Sequence, residues 1–352
     1  MDTTIVIYGA TGYIGRLCAR EAVERGLHPL LAGRDRARLA AVGEALSLPV
    51  RVAELDDPAG LDRLLDGAAV LLNAAGPFVT TQPPLLDACL RTGTHYLDLS
   101  GEAPEFLTAW GRDADCRAAG VMAMPGVGFG VVPTDAMAVH LARRLPGARR
   151  LELSFVTRGG LSRGTVGTLL AGLPTEGVQR RNGRLVPTRA GAERRRITHE
   201  GTTSTVVTNP WRADVVSAGL STGIPDIATF FAAPPPVRAL LRLGYPLRGL
   251  LTRGVSVRAR DALLRRLPAG PTDAQLADGA SLVHGVVTDD QGRRAEAVLE
   301  GPEPYLWTAR TAAEVSARTA AGVTEPGYRT PAQVHGPQVA LTGPDVRLRD
   351  VR

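Results

Sequence analysis

The sequence predicts an α/β chain with two parts. A doubly wound parallel sheet comes first, followed by a second α+β domain with a largely antiparallel sheet. Three observations carry this. A glycine loop, GATGYIG at Gly9–Gly15, stands between a short apolar run and a helix-like run. As far as Met124, short apolar runs alternate with amphipathic stretches, the pattern of strands covered on both faces by helices. Beyond Arg150 the runs alternate apolar and polar, as in a sheet with one covered face, and few helix periods intervene. A length of 352 residues suits two domains. The expected bounds are 1–130 and 131–304, with 305–352 packing back on the first.

The elements follow in order. Ile5–Tyr8 reads as a buried strand and Tyr13–Arg25 as a helix ended by Gly26. Pro29–Ala32 is the second strand, and Arg36–Ala45 a helix with Asp35 as N-cap. Val50–Leu55, Ala69–Asn73, Tyr96–Leu99 and Val121–Met124 are the next strands. Helices at Ala59–Leu65, Pro84–Arg91 and Pro104–Ala119 separate them. A Gly/Pro loop, Pro125–Pro133, leads into a helix from Thr134 to Arg144. Leu151–Val156 and Ser204–Thr208 read as strands of the second domain. Leu282–Asp290 and Arg293–Gly301 form a hairpin turned at Gln291–Gly292. A last helix covers Tyr305–Ala320, and TPAQV marks a turn after it.

Composition removes several chemistries. The formal charge is +6, and all of the 41 basic Lys/Arg positions are arginine. With no lysine there is no Schiff-base lysine, no P-loop lysine and no Tyr-x-x-x-Lys pair. The arginines are spread along the chain rather than gathered in a stripe, so nucleic acid is not an expected partner. Cys18, Cys89 and Cys116 lie far apart in helix-like stretches; buried thiols are expected, with no disulfide framework and no metal site. Asp2 stands where a leader would be positive, and no apolar run is long enough to span a bilayer, so a cytoplasmic chain is expected. The segment 232–267 carries eight arginines. It reads either as a surface helix making a peripheral membrane contact or as a proline-broken connection with arginine stems along the core.

The glycine loop points to a dinucleotide. Gly9 permits the tight turn, Gly12 lets backbone approach a pyrophosphate, and Gly15 lets helix and strand pack closely. Thr11, Tyr13 and Ile14 complete the loop and open the helix, whose N-terminus offers N–H groups to phosphate. This is the signature of a Rossmann-type domain. The end of the second strand selects the cofactor: Gly33 and Arg34 stand where an NAD enzyme has an acid, with Arg38 one helical turn on. Guanidinium groups suit a 2′-phosphate, so the expected cofactor is NADP(H). Asn73, Ala74, Ala75, Gly76 and Pro77, at the end of the fourth strand, are small enough for a cofactor to lie across them. They also read as a simple Gly-Pro turn. Asp56 reads either as an adenine contact or as a helix cap.

The set GATGYIG, LAGRDRARL, NAAGPF and HYLDLSGE resembles the saccharopine dehydrogenase-like oxidoreductases, which include saccharopine reductases and trans-acting enoyl reductases. The resemblance continues in GVGFGVVPTDAMA, GGLSRGTVGTLL, GPEPYLWTARTAAEV and YRTPAQV. It implies NADP(H), an α/β substrate domain, and reduction of a C=N or an activated C=C bond. The enoyl reductases commonly carry Gly-Phe-Asp-Ser-x-Pro-Ser-Asp where this chain has Gly128 to Asp135, without the inner acid and hydroxyl. Hydride transfer needs a proton as well, and Tyr96, Asp98 and Glu102 are the candidate donors. Asp98 and Glu102 read equally as caps of the helix at Pro104. His95 is expected to turn away, His199 to be a surface residue, and Ser162 and Thr165 to start a helix facing an anionic group. The expected partners are a small-molecule or carrier-bound substrate and a second copy of the chain in a homodimer. A dinucleotide-binding protein without turnover is the rival reading.

Overall fold

The computed structural model describes residues 4–160, 176–233 and 266–351, with single positions 162, 163, 167, 235, 238 and 241. Most of the 232–267 segment, and Thr165, lie outside the described residues. The chain divides into two compact units, Met1–Ala136 with Tyr305–Pro344, and Met137–Pro304 with Asp345–Arg352. No described helix is long and apolar enough to cross a membrane.

The first unit begins β1 (Thr4–Tyr8), α1 (Tyr13–Glu24), β2 (Leu30–Gly33), α2 (Arg36–Leu46), β3 (Val50–Val52) and α3 (Pro58–Leu65). It continues β4 (Ala68–Asn73), α4 (Phe78–Thr92), β5 (His95–Asp98), α5 (Ala103–Gly111), α6 (Asp113–Ala118) and β6 (Met122–Met124), with α7 (Val132–Arg144) crossing into the second unit. Local chemistry sets these bounds. After α1, Gly26 takes φ +75° while Leu27 N–H reaches back to the Ala22 carbonyl at 2.9 Å. Asp35 caps α2, its carboxylate accepting from Arg38 N–H at 3.1 Å.

Helix α4 starts at Phe78 rather than Pro84, with Pro83 and Pro84 inside it. The prolines give up backbone pairs, and the buried side chains of Thr81 and Gln82 anchor that turn instead. The helix expected over Pro104–Ala119 is two helices. The break falls at Arg112, whose guanidinium holds Asp87 at 2.7 Å and Asp115 at 2.6 Å.

The second unit holds β7 (Arg150–Arg158), β8 (Gly177–Arg181), β9 (Arg184–Thr188), β10 (Arg194–His199), β11 (Thr202–Thr208), α8 (Asp214–Thr222) and β12 (Asp226–Ala232). Then come α9 (Asp273–Asp278), β13 (Ala280–Thr288) and β14 (Arg294–Pro302). The sheet order is β10-β11-β12-β7-β13-β14, antiparallel except where β12 runs parallel to β7; β8 and β9 hang off β12. Helix α7 lies so close to β13 that a Cβ at Gly285 would meet Met137 Cγ at 2.5 Å and Leu141 Cδ1 at 2.6 Å. Arginines serve inside this unit: Arg195 binds both oxygens of Glu152, and Arg212 lies 4.4 Å over the Phe155 ring.

The chain then returns through α10 (Pro304–Ala320), β15 (Gly327–Tyr328), α11 (Pro331–His335) and β16 (Arg347–Val351). β15 adds a parallel strand beside β6, giving the first sheet the order β15-β6-β5-β4-β1-β2-β3. β16 instead pairs with β14, so the end of the expected 305–352 return belongs to the second unit. Both sheets match the fold class expected. TPAQV, expected as a turn, is a short helix capped by Thr330.

Within the first unit Trp307 of α10 is fully buried, its ring 5.5 Å from Phe129 and its indole N–H on the Ala340 carbonyl at 3.0 Å. Trp307→Ala should cost about 3–5 kcal/mol of stability, read by urea denaturation.

Candidate functional site

The first sheet has a topological switch point between β1 and β4, where strand order turns from β1-β2-β3 to β4-β5-β6. Open α/β sheets bind ligands at such a point, outside the carboxyl ends of the strands. Those ends are level here: Tyr8 pairs in register with Ala32 and Asn73, and Asn73 with Asp98.

The glycine loop after β1 is built by close approach. Gly9 has φ +88°, and a Cβ on it would lie 2.7 Å from Ala75 N. A Cβ on Gly15 would run into the Gly9 carbonyl. Gly12 is the N-cap of α1; no side chain caps that turn, and no acid lies in it. An uncapped helix N-terminus with glycine on its approach fits a pyrophosphate. Thr11, Tyr13 and Ile14 lie in the same loop, with the Tyr13 ring edge-on to Tyr305 at 5.5 Å. Across the switch point, Ala74 N–H donates to the Tyr8 carbonyl at 2.8 Å, and the exposed Gly76–Pro77 peptide is cis.

On the β2–β3 side, Gly33 ends β2 and Arg34 is exposed with no hydrogen bond or ion pair among the described residues. Arg38 is partly occupied, 3.4 Å from Asp35. Burial and Glu54 push the Tyr8 hydroxyl up to about 12, Arg34 opposing and Asp56 adding, so Arg34 and Asp56 both act on that hydroxyl. Asp56 is exposed and does not cap α3; Asp57 does, accepting from Gly60 N–H at 2.9 Å. A groove of about 370 Å³ between α1 and α2 is lined by Thr11, Arg38 and two arginines the sequence reading passed over, Arg16 and Arg20. Their i,i+4 spacing on α1 was the available signal.

On the β4–β5 side a buried polar network ties the strand ends together. Asn73 Nδ2 donates to Tyr96 Oη at 3.1 Å and Thr81 Oγ1 at 3.0 Å, while its Oδ1 accepts from Ala75 N–H at 3.0 Å. Tyr96 donates to Asp98 Oδ2 at 2.9 Å, and Gln82 donates to the same oxygen at 3.0 Å. Asp98 Oδ1 accepts from Ser100 N–H, Ser100 Oγ and Gly126 N–H. Burial raises the Asp98 carboxyl, against these donors. Burial and Asp98 raise the Tyr96 hydroxyl well above its ordinary value. Both residues are fully buried, and their oxygens serve this tie.

Glu102, the third expected donor, stands at the N-cap of α5 without capping it. Its carboxylate turns back to Gly101 N–H at 2.9 Å. Asp98 does not cap the helix either. His95 lies within β5, its Nδ1 accepting from Met122 N–H at 3.0 Å. His199, in the second unit, is 3.0 Å from Glu300, and Arg349 engages both Glu200 and Glu300. The three thiols are free and buried, and burial raises each of them.

Glu105 was missed by sequence reading. It lies in the first turn of α5, is 8% exposed, and its Oε2 has no hydrogen-bond partner. Burial pushes it up to about 7; Glu102 and Asp98 push the same way, while the N–H groups of Glu105 itself and Val79 oppose. The signal was an acid after Ala-Pro at a helix start, which reads as a routine dipole partner.

Two predictions follow from this geometry. Asp98→Ala strips the acceptor from the Gln82, Tyr96, Ser100 and Gly126 donors, so it should cost about 3–5 kcal/mol in urea denaturation. Glu105 has a folded value above its unfolded one, so between pH 4.5 and about 7 the folded chain holds more protons and stability falls as pH rises. Glu105→Gln should therefore gain up to roughly 3 kcal/mol over wild type at pH 8 and little at pH 5.

Residues 5–124 match the family model described as the saccharopine dehydrogenase NADP binding domain. A trans-acting enoyl reductase of Mycobacterium ulcerans is 36% identical over 151 residues, 40% of this chain and 35% of that protein. The human saccharopine dehydrogenase-like oxidoreductase is 28% identical over 174 residues, 44% of this chain and 40% of that protein. The matches span less than half the length of these relatives. Among solved structures, the apo saccharopine dehydrogenase (L-Glu forming) of Saccharomyces cerevisiae shares the fold, with a TM-score of 0.67 over 99% of this chain and 100% of that one at 12% identity.

Proposed function

Since residues 5–124 match the model of the saccharopine dehydrogenase NADP binding domain, we propose that the chain is an NADPH-dependent cytoplasmic reductase of a C=N or activated C=C bond. The observation that carries this reading is the uncapped, glycine-lined end of α1 at the switch point, with the unpaired Arg34 beside it. When bound, the cofactor supplies the hydride. The chain's residues do the rest. The loop from Gly9 to Gly15 receives the pyrophosphate, Arg34 and Arg38 face the 2′-phosphate, and Asp56 lies toward the adenine. Ala74, Ala75, Gly76 and Pro77 form the floor beyond the switch point. Asn73, Tyr96 and Asp98 position that floor through their hydrogen bonds, and Glu102 stands at its rim.

Similarity to a trans-acting enoyl reductase supports a carrier-bound substrate with an activated C=C bond. Similarity to saccharopine dehydrogenase-like proteins supports a C=N bond in a small metabolite. A homodimer, and a membrane contact through 232–267, belong to the same proposal. One observation favours a second reading, a dinucleotide-binding protein without turnover: Tyr96 and Asp98 are buried and bonded to each other rather than open to a substrate.

Calorimetric titration with NADPH and NADH tests the cofactor assignment. Arg34→Ala should weaken NADPH about 10- to 100-fold, the loss of charge-assisted hydrogen bonds, and leave NADH within about twofold. Equal losses for both would remove Arg34 from the 2′-phosphate. Reduction of an enoyl thioester or an imine in the presence of NADPH separates the two bond types, and turnover of neither favours the second reading.

A further inference from the structure

Among the described residues of the first unit, Glu105 is the buried carboxylate with an oxygen that has no hydrogen-bond partner. Glu21, Asp35, Asp57, Asp62, Asp87, Asp113 and Asp115 each meet an arginine. Glu105 meets none. It is more than nine-tenths buried with an unpartnered oxygen, and the charged groups acting on it, Asp98 and Glu102, are both acids. Asp98 already accepts from Gln82, Tyr96, Ser100 and Gly126, so it offers Glu105 nothing. Burial and two neighbouring acids bias a carboxyl so placed toward its neutral form, and a nearby positive charge would oppose that bias.

Its position indicates which charge. Arg34 and Asp56 lie on the β2–β3 side of the switch point, the side proposed for the adenosine half of the cofactor. Glu105 lies on the other side, on the helix after β5 and beside the N–H of Val79 at the start of α4. The two redox forms of a nicotinamide cofactor differ there by one positive charge. A unit charge within about 7 Å shifts a carboxyl by about one to two pH units at an effective dielectric near 20.

We propose that Glu105 is a redox-linked protonation site, neutral when the reduced cofactor occupies the first unit and ionised when the oxidised cofactor does. This rests on the reading of the β4–β5 side as the nicotinamide side. Glu105 is a proton store. Reduction of a C=N or C=C bond takes one hydride, which oxidises the cofactor, and one proton. Glu105 supplies the proton as its O–H bond breaks and the electron pair stays on the carboxylate. The product gains an N–H or C–H bond, and water restores the proton when the cofactor exchanges. The half-buried Glu102, next to it at the helix start, is the way out.

The test is calorimetry of NADPH and NADP⁺ binding at pH 7 in two buffers of different ionisation enthalpy, which gives the protons bound or released. The two cofactors should differ by about 0.5 to 1 proton per site. The difference should vanish in E105Q and persist in E102Q. Should E105Q fail to fold, the infrared difference between wild type with NADPH and with NADP⁺ reads the same event as loss of the protonated-carboxyl C=O stretch. Equal proton counts for both cofactors, or a difference that survives in E105Q, would overturn the proposal. Failure to bind either cofactor would overturn it together with the cofactor site. Binding without turnover, with the proton difference intact, would remove only the reductase reading.

Discussion

The buried carboxylate of Asp98 holds the carboxyl edge of the first sheet in place. It joins the end of β5 to Gln82 in α4, to Ser100 in the next connection and to Gly126 before α7. Through Tyr96 it reaches Asn73, which fixes the turn after β4 by accepting from Ala75 N–H. Ala75 is the residue against which Gly9 packs. One polar network therefore sets the distance between the two loops that meet at the switch point. Its apolar surroundings make each of these hydrogen bonds costly to lose, so the edge is rigid where a cofactor needs it.

The two sides of the switch point differ in chemistry. The β2–β3 side is open and basic: Arg34 is exposed, and Arg16, Arg20 and Arg38 line the adjoining groove. The β4–β5 side is acidic, with Asp98 and Glu105 buried and Glu102 half-buried. A ligand with a polyanionic end and an end whose charge changes by one fits that division. The loop from Gly126 to Val131 is shaped by packing: a Cβ at Gly126 would meet Phe106 Cζ at 2.5 Å, and one at Gly128 would meet Thr308 Cγ2 at 2.7 Å. Gly130 and Val131 stand where the enoyl reductases have the acid and hydroxyl; a Cβ at Gly130 would meet Gly101 Cα at an ordinary 3.6 Å, so packing does not require glycine there.

Most of the first unit was legible because its signals are local. A glycine loop, an N-cap at Asp35 and apolar runs between amphipathic helices each fix an element from a few residues. What escaped depends on partners distant in sequence. β15 is two residues long and exists only because it pairs with β6. The start of α4 was hidden by Pro83 and Pro84, since its anchor, Gln82 on Asp98, is tertiary. Tyr96 and Asp98 were readable as a tyrosine and an acid at a strand end. Residues i and i+2 of a strand share a face, so the two could be placed together, but that they would bond depended on the buried partners Asn73 and Gln82, which are distant in sequence. The signal at Glu105, an acid after Ala-Pro at a helix start, did not distinguish it from an ordinary cap-region acid, because its burial is tertiary.

The central claim is that the β1/β4 switch point of the first unit holds NADP(H) across its two sides. Amide hydrogen exchange with and without NADPH tests it directly. Protection on binding should concentrate in 9–15, 33–38 and 73–79. Protection confined to other segments, or none at saturating NADPH, would contradict it.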